Sequence, residues 1–371
     1  MNKVAIIHFY PPELYPPLQN LLTEMSKRED LSVLLLTNQV VNDDLSVFET
    51  GSSKVKIVRI ARVSSGQASL VRYWNYFLFY LMALWRLGLF APRSVLYFET
   101  LSSFPALVYH LFFKKVKLYI HYHEYTSEQE YQTGMVLNRF FHRWEKKIYS
   151  KAAWISHTNH FRMTMFKRDI FPHELDNTYL LPNYPPQEWK TNPKRFNQGP
   201  LLVVYAGAFS LETMYVREFA NWVASQEGRV LWDIFSYNQT KEVHHFIRLL
   251  NCPWIQLKSG VDYRELPPIL RKYHVGVILY KGHIPNYIYN APNKLFEYLA
   301  CGIDVWFPEV MKGSMDYVTG NTYPKIIPLD FENLKEIDIE QMLNKEGSTP
   351  LENFYFYEVA LAPLMRKIVS L

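Results

Sequence analysis

Lys294 and Glu297 lie on a short segment whose residue types could hold a phosphorylated ligand. Pro292 suits the first turn of a helix there, and Gly302 suits the left-handed position after its last turn. The N–H groups of a helix start and a lysine in the first turn favour phosphate, while a carboxylate one turn later can accept hydrogen bonds from sugar hydroxyls. Asn293 is four residues before Glu297, so the two are neighbours on the helix surface. The pattern predicts a nucleoside diphosphate along this helix; the alternative is an ordinary surface salt bridge.

A second group of polar residues ends a predicted strand in the first half of the chain. His121 and His123 alternate, so an extended strand would turn both to one side, and Glu124 follows them. His123 could hydrogen-bond a sugar and Glu124 could orient an acceptor hydroxyl. The alternatives are a structural histidine and an ordinary loop carboxylate. A metal site at the histidine pair lacks a convincing third ligand, so no metal is predicted.

Three further loops follow predicted strands of the second half. The turn from Gly207 to Ser210 could approach phosphate, and Lys281 could reach it, although a solvated lysine is the alternative for Lys281. Base recognition is expected from the loops after two strands, Ser236–Asn238, which contains Tyr237, and Lys258–Val261. Neither loop specifies the base.

Short apolar runs separated by helical patterns predict βαβ units and parallel sheets in both halves. The expected strands are Val4–Phe9, Ser32–Thr37, Val55–Ile60, Ser94–Phe98, Lys117–His121 and Ala153–Ser156, then Leu201–Tyr205, Leu231–Phe235, Ile255–Leu257, Val275–Tyr280 and Ile303–Phe307. The expected helices cover about 17–27, 71–88, 104–113, 138–151, 213–226, 240–250, 263–273 and 292–301.

A change of composition near residue 180 divides these two series. Leu181-Pro182-Asn183 opens a stretch rich in Pro and Asn, which predicts a connector. We expect an N-terminal domain at 1–182, a linker at 183–199, a C-terminal domain at 200–350 and a final helix at 351–371 that packs back on the first domain. Two α/β domains facing across a cleft would bind a small ligand there.

Composition narrows the classes of function. The chain has 371 residues and a net charge of +5, and no compact run of Lys and Arg interleaved with aromatics, so a nucleic-acid partner is not predicted. Cys252 and Cys301 lack disulfide or metal-ligand spacing, which fits a reducing cytoplasm. The start of the chain reads as a strand, not as a signal peptide.

Residues 71–90 are strongly apolar and aromatic, but Asn75 and Arg86 interrupt them and the run is short for a membrane span. One interpretation is a buried or half-buried helix of the α/β domain. The other is an interfacial helix that docks on lipid at the inner face of the cell membrane, because arginines flank the aromatic residues.

Four motifs resemble the retaining glycosyltransferases of the GT-B fold, of the "glycosyl transferases group 1" or family 4 type. They are Pro292-Asn293-Lys294-Leu295-Phe296-Glu297, His121-Tyr122-His123-Glu124, Leu181-Pro182-Asn183 and Tyr205-Ala206-Gly207-Ala208-Phe209-Ser210. The resemblance spans most of the chain. It implies two Rossmann-like domains, a ribose contact at Glu297, diphosphate at the helix start and at the glycine turn, and a donor sugar facing His123.

Three features depart from the family pattern. Tyr289 stands where the family commonly has an acidic residue. The loop at Gly207 usually includes an arginine or lysine in the family, whereas here the cation nearest in sequence is Arg217. The N-terminal loop of the family is often rich in glycine, whereas here it is His8-Phe9-Tyr10-Pro11-Pro12. The chain also lacks an Asp-x-Asp motif, and family members generally need no divalent metal.

The resemblance implies a hexosyltransferase-type enzyme without a cofactor, which moves a sugar from a nucleotide-sugar donor to a glycan or lipid-linked acceptor in bacterial surface polysaccharide or glycoconjugate synthesis. The alternatives are a nucleotide-sugar epimerase or hydrolase on the same fold, and a non-catalytic partner that binds sugar nucleotides or glycans.

Overall fold

The computed structural model describes residues 1–40, 46–63, 68–171, 175–193, 199–237, 239–340, 348–352 and 355–370. The chain folds into two compact units, and each belongs to the α/β class with a parallel sheet. The first unit comprises Met1–Asn183 and Tyr357–Leu371, and the second comprises Tyr184–Phe356.

The first unit is built on a sheet in which the described residues supply seven parallel strands, in the order β3-β2-β1-β4-β5-β6-β7. The strands are β1 (Asn2–Ile7), β2 (Leu31–Val40), β3 (Val55–Val63), β4 (Ser94–Phe98), β5 (Lys117–Tyr122), β6 (Trp154–His157) and β7 (Thr178–Leu180). Its helices are α1 (Pro16–Ser26), α2 (Ser69–Phe90), α3 (Ser103–Phe112), α4 (Glu128–Thr133), α5 (Val136–Glu145) and α6 (His160–Met165). The central strands are apolar on both faces because helices cover both; β4 is buried throughout.

The second unit repeats this construction with six parallel strands in the order β10-β9-β8-β11-β12-β14, counted over its described residues. The strands are β8 (Leu201–Ala206), β9 (Val230–Ser236), β10 (Ile255–Ser259), β11 (Val275–Val277), β12 (Asp304–Pro308), β13 (Thr322–Tyr323), β14 (Ile326–Leu329) and β15 (Thr349–Pro350), of which β13 and β15 pair separately. The helices are α7 (Val216–Ser225), α8 (Lys241–Leu250), α9 (Leu266–Leu270), α10 (Pro285–Ile288), α11 (Asn293–Ala300) and α12 (Lys312–Met315).

Each sheet contains one point at which the strand order reverses. In the first unit the chain moves outward from β1 to β3 and then returns to place β4 on the other side of β1. In the second unit β8 and β11 are related in the same way. Ligands of open α/β sheets bind outside the carboxyl ends of the two strands that flank such a point. The topology therefore directs attention to the ends of β1 and β4, and to those of β8 and β11.

The segment expected as a linker at 183–199 belongs to the second unit from Tyr184 onward. Tyr184 packs edge-on against Phe296 with 4.5 Å between ring centroids, and Trp189 is buried in a cluster with Leu295 and Leu299. Apolar side chains therefore fix the start of the segment on the second unit, while residues 194–198 lie outside the described part. The C-terminal helix α13 (Tyr357–Val369) belongs to the first unit, where Leu361, Leu364 and Ile368 join the core of α1, β1 and β2.

Three predicted elements are shorter than expected. The helix expected at 138–151 ends at Glu145, whose buried carboxylate accepts hydrogen bonds from Thr100 (2.8 Å) and Tyr122 (2.9 Å). The helix expected at 263–273 is a 3-10 turn followed by α9, because its two prolines cannot donate backbone hydrogen bonds. The strand expected at 275–280 leaves the sheet after Val277, and Tyr280 forms an antiparallel bridge with Met214.

Candidate functional site

The first candidate site lies at the carboxyl end of β8, where Gly207 and Lys294 come together. Gly207 has φ of +135°, and a Cβ on it would lie 2.6 Å from the Nζ atom of Lys294. A side chain at position 207 would therefore occupy the space of the lysine. The amine also lies over two aromatic rings, 5.4 Å from the centroid of Tyr205 and 5.9 Å from that of Tyr280. Its reach places a positive charge at the glycine turn that opens the second unit.

Lys294 keeps its charge in this place. Burial lowers the pKa of the amine, but Tyr280, Tyr205 and Glu297 together raise it by a larger amount. The resulting pKa lies above the ordinary value for lysine. The side chain starts from the first turn of α11, which begins after Pro292 in an extended conformation and has no side-chain cap. The unpaired N–H groups at the start of the helix and the lysine cation thus present positive charge together.

Glu297 follows one turn later and is only 6% exposed. In the part of the chain that the structure describes, no protein group donates a hydrogen bond to its carboxylate. Burial raises its pKa to about 7, while the Lys294 amine acts in the opposite direction. A buried carboxylate without a protein donor is costly, and a ligand with hydroxyl groups would satisfy it.

The two loops expected at a base are brought together. The ring of Tyr237 lies over Gly260. A Cβ atom built on Gly260 would lie 2.3 Å from the Cγ atom of Tyr237. Gln239 joins the loops, since its amide nitrogen donates to the carbonyls of Ser236 (2.9 Å) and Lys258 (2.7 Å). Asn238 lies outside the described residues.

Ser210 and Lys281 are engaged with protein groups. The Ser210 hydroxyl accepts hydrogen bonds from the backbone N–H groups of Glu212 and Thr213, both at 3.3 Å, and so shapes the turn that follows Gly207. The Lys281 amine donates to Glu218 on α7 at 3.0 Å, so its charge is paired. Both residues remain candidates because of their positions. Their polar groups already bind protein groups, whereas no described residue donates a hydrogen bond to the carboxylate of Glu297.

The second candidate site lies in the first unit, at the ends of β1, β4 and β5. Here the structure contains a cavity of about 170 Å³, whose lining includes Tyr10, Tyr15, Glu99, His123 and Glu124. Tyr10 comes soon after β1 and Glu99 directly after β4, so the cavity lies at the point where the strand order reverses. Two carboxylates and three rings at such a point suit a ligand with hydroxyl groups.

His123 is buried in this wall as a neutral ring. It is 6% exposed, and burial, followed by His121 and His8, holds its pKa well below the ordinary value. Its ring stacks on Phe98 at 5.1 Å and meets His121 edge-on at 4.7 Å, which agrees with the alternation along the strand. Both ring nitrogens are buried, and a hydrogen bond with the Asn183 side chain raises the pKa of the ring against the effect of burial.

Glu99 is a cavity residue that the sequence did not single out. Its backbone has φ of +61° without being glycine, a conformation found where surrounding structure enforces it. The carboxylate accepts hydrogen bonds from the backbone N–H groups of His123 (2.6 Å) and Glu124 (3.2 Å). Burial, and then the Glu124 carboxylate, raise the pKa of Glu99 to about 8. A single glutamate after an apolar strand cannot be recognised as a site residue from the sequence, because its role depends on residues that follow a neighbouring strand.

Comparison with known proteins adds evidence at the level of fold alone. No protein-family model and no curated protein matches the sequence. Among solved structures, sucrose-phosphate synthase from Thermosynechococcus elongatus has a TM-score of 0.73 at 14% identity, with 100% of both chains covered. HepE from Anabaena, in complex with UDP and glucose, gives 0.65 at 9% identity, again over 100% of both chains. UDP-GlcNAc 2-epimerase from Neisseria meningitidis, bound to UDP-GlcNAc, gives 0.61 at 12%, with 100% of both covered.

The chain has the GT-B glycosyltransferase fold. Within it, the cation expected near the Gly207 turn is supplied by Lys294 from α11. Arg217, the nearest cation in sequence, lies on α7 with its guanidinium 4.8 Å from the centroid of Phe246. The sequence could not show this, because Lys294 is distant from the turn along the chain.

Tyr289, where the GT-B resemblance leads us to expect an acid, ends the short helix α10. Its backbone packs against Gly313, where a Cβ would lie 2.4 Å from the carbonyl of Tyr289. Ser314 donates a hydrogen bond to the carbonyl of Asn290 at 2.9 Å. The residues of α12 therefore hold the loop that leads into α11.

Proposed function

We propose that this protein is a glycosyltransferase of the hexosyltransferase type, which transfers a sugar from a nucleoside-diphosphate sugar. The observation that supports it most directly is the pair formed by Lys294 at the Gly207 turn and the buried Glu297, to which no described residue donates a hydrogen bond. The pair provides a cation for a diphosphate and a carboxylate for vicinal hydroxyls of a ribose. Asn293, in the first turn of the same helix, would add a polar contact beside the phosphate.

In the proposed reaction, the bond between the sugar and the diphosphate breaks and negative charge collects on the departing nucleoside diphosphate. Fixed positive charge at that point lowers the barrier. Lys294 and the N–H groups at the start of α11 would supply it without a metal ion. Tyr237 and the loop at Gly260 would hold the base, and retention at the anomeric carbon is part of the proposal.

The cavity of the first unit is the proposed site of the acceptor. His123 would hydrogen-bond the transferred sugar, and Glu124 would orient an acceptor hydroxyl beside Glu99. The acceptor proposed is a glycan or a lipid-linked sugar of a bacterial surface polysaccharide or glycoconjugate. A cytoplasmic location and contact of residues 71–90 with the inner face of the membrane belong to the same proposal.

A donor panel with Glu297→Gln tests the assignment. Calorimetry with uridine, guanosine and adenosine diphosphates should find one nucleotide that binds, and Glu297→Gln should weaken it roughly 10-fold or more, because hydrogen bonds to a charged group contribute about 1.5–3 kcal/mol. Glu242→Gln, on the exposed side of α8, is the matched control and should bind like the wild type. Equal affinity in Glu297→Gln would refute the ribose contact.

Product analysis separates transfer from its alternatives. Transfer with retention gives a glycoside with the anomeric configuration of the donor, which proton NMR of the product reports. An isomerised sugar nucleotide in the absence of acceptor would instead indicate an epimerase, an alternative kept open because one protein of the same fold is a UDP-GlcNAc 2-epimerase. Nucleotide binding without turnover on any acceptor would indicate a non-catalytic binding partner.

A further inference from the structure

The helix α2 leaves one apolar face uncovered along its whole length. Its buried side packs on the first unit through residues such as Phe79, Ala83 and Leu87. The opposite side exposes large apolar side chains over about 30 Å of helix, with Trp74 61% exposed and Trp85 52% exposed. The exposed stripe consists of Leu70, Trp74, Phe77, Leu81, Trp85 and Leu89. Monomeric proteins rarely leave so continuous an apolar surface in water.

The end of α3 extends this surface. Leu111, Phe112 and Phe113 are all exposed, and Phe112 is 75% exposed. The helices α2 and α3 pack against each other, with 5.2 Å between the ring centroids of Tyr80 and Phe104. Both helices lead from the carboxyl edge of the sheet to its amino edge, so their last turns lie at the same edge.

Cations surround the apolar residues at that edge. Lys3, Arg93 and Lys117 are placed side by side by backbone hydrogen bonds, from Arg93 N to the carbonyl of Lys3 (2.9 Å) and from Lys117 N to the carbonyl of Arg93 (3.0 Å). Lys114 and Lys115 are exposed directly after Phe113. Between residues 69 and 117 the chain has six cationic side chains and one acidic residue, Glu99. Glu99 follows the carboxyl end of β4 and so lies at the edge of the sheet opposite to these cations.

We propose that the exposed face of α2 and the end of α3 dock the first unit on an anionic lipid bilayer, with the aromatic side chains in the interface and the lysines at the headgroups. Trp, Phe and Leu beside Lys and Arg are the composition of interfacial membrane helices. No helix of the described residues is long and apolar enough to cross a bilayer. Lipid is favoured over a protein partner because the cations lie beside the apolar stripe, while the nearby acids of the amino edge, Glu29 and Asp30, are paired with Lys54 and Arg28.

This inference rests on the proposed membrane contact of residues 71–90 and extends it to α3 and to the amino edge of the sheet. It is independent of sugar transfer. The same helix supports the cavity of the first unit, since the Tyr80 hydroxyl donates to the carbonyl of Leu101, a cavity residue, at 3.0 Å. Docking through α2 would hold the first unit at the bilayer surface, where a lipid-linked acceptor is available.

Sedimentation of the full chain with vesicles tests the proposal without donor or acceptor. Binding is expected with vesicles of phosphatidylcholine and phosphatidylglycerol in roughly equal parts, should be weaker with phosphatidylcholine alone, and should fall with added salt. The charge variant Lys114→Glu/Lys115→Glu should reduce the partition coefficient roughly tenfold or more, because each basic residue near the surface contributes about 1 kcal/mol. The apolar variant Phe112→Ser/Phe113→Ser should reduce it on both kinds of vesicle.

Two control variants match these changes elsewhere on the surface. Leu249→Ser removes a side chain that is 70% exposed on α8, and Lys272→Glu reverses an exposed charge of the second unit. Both should sediment like the wild type, and circular dichroism should show all variants folded. No vesicle binding by the wild type, or binding that both α3 variants retain, would overturn the proposal. Self-association that Phe112→Ser/Phe113→Ser abolishes, without vesicle binding, would instead assign the face to a second copy of the chain.

Discussion

At the scale of single residues, the contact between Gly207 and Lys294 makes the proposed diphosphate site testable. An alanine at 207 would need a φ that alanine rarely adopts and would place its Cβ against the lysine amine. Gly207→Ala should therefore displace Lys294 and weaken nucleotide binding roughly tenfold, as measured by calorimetry. Gly199→Ala shares the backbone strain, at φ of +97°, but no atom of the described residues lies within 4 Å of the new Cβ. If both variants bind nucleotide equally, the contact with Lys294 has no role in binding.

Glu99 supports a second prediction at this scale, on stability. Its pKa in the folded protein is raised to about 8, so the unfolded chain releases the proton at lower pH than the folded chain does. Its contribution to stability is therefore present at low pH and is lost as pH rises towards 8. Glu99→Gln keeps an oxygen that can accept from the His123 and Glu124 amides but removes the charge.

Urea unfolding at pH 6 and pH 9 measures this effect. Relative to the wild type, Glu99→Gln should be more stable at pH 9 than at pH 6, by roughly 1 kcal/mol or more in the difference. The exposed Glu242→Gln should show no such dependence on pH. A wild-type-like pH profile for Glu99→Gln would mean that Glu99 ionises in the folded protein as easily as in the unfolded chain.

At the scale of elements, the short helix α12 positions the loop before α11. Gly313 lies so close to the Tyr289 backbone that a Cβ would come within 2.4 Å of it, and backbone atoms cannot move aside as a flexible side chain can. Gly313→Ala should lower stability by about 1–3 kcal/mol, the usual cost of overpacking, and should weaken nucleotide binding by shifting the start of α11. Thermal unfolding and calorimetry measure the two effects.

Gly320→Ala is the control for that variant, since in the described part of the chain no atom lies within 4 Å of its new Cβ. It should leave both the melting temperature and the affinity near those of the wild type. Lower stability of Gly313→Ala with unchanged affinity would show that α12 supports the fold without positioning α11.

The sequence was most informative for elements whose pattern is local. The strand Ser94–Phe98 was predicted with the bounds that the structure gives, because its apolar run is uninterrupted and ends at polar residues. The helix α11 starts at Asn293, one residue after Pro292, which was expected in its first turn. Gly302 takes the expected left-handed conformation, with φ of +73°. Strands as short as β7 and β14 were not predicted, since three or four residues with mixed burial show no clear period.

The candidate site was less accessible to sequence reasoning, because its contacts join distant parts of the chain. The approach of Lys294 to Gly207 depends on the strand order of the second sheet. The pairing of Lys281 with Glu218 depends on how α7 packs. The sequence did not indicate Glu99 as a site residue, because its carboxylate accepts a hydrogen bond from the backbone of His123, which follows a different strand. Motifs therefore indicated which loops to consider, and topology decided which side chains meet.

At the scale of the whole molecule, buried histidines distinguish the two units. Burial is the main cause that lowers the pKa of six histidines of the first unit, to about 4 for His8 and about 3 for His157. The others are His110, His121, His123 and His142. Below pH 6.5 these histidines are protonated in the unfolded chain but stay neutral in the folded one. The first unit therefore loses stability as pH falls. Each fully buried ring accounts for roughly 1.4 kcal/mol per pH unit as an upper limit.

Carboxyl groups act in the opposite direction. Burial raises the pKa of Glu99 to about 8 and that of Glu145 to about 7, so these two groups stabilise the first unit as pH falls from 8 towards 4.5. The six histidines still outweigh these two glutamates in their effect on stability. In the second unit Glu297, with its pKa raised to about 7, acts in the stabilising direction over the same range.

Lowering the pH from 7 to 5 should therefore destabilise the first unit while the second keeps its stability. Hydrogen exchange measured by mass spectrometry gives the opening free energy of each unit, from amides of β5 and β6 in the first and of β8 and β9 in the second. His157→Phe removes one titrating ring but can keep the stacking on Tyr122, now 5.1 Å between centroids, so it should reduce the loss in the first unit. A loss of equal size in both units, or one that His157→Phe does not change, would contradict the assignment of acid sensitivity to these buried rings.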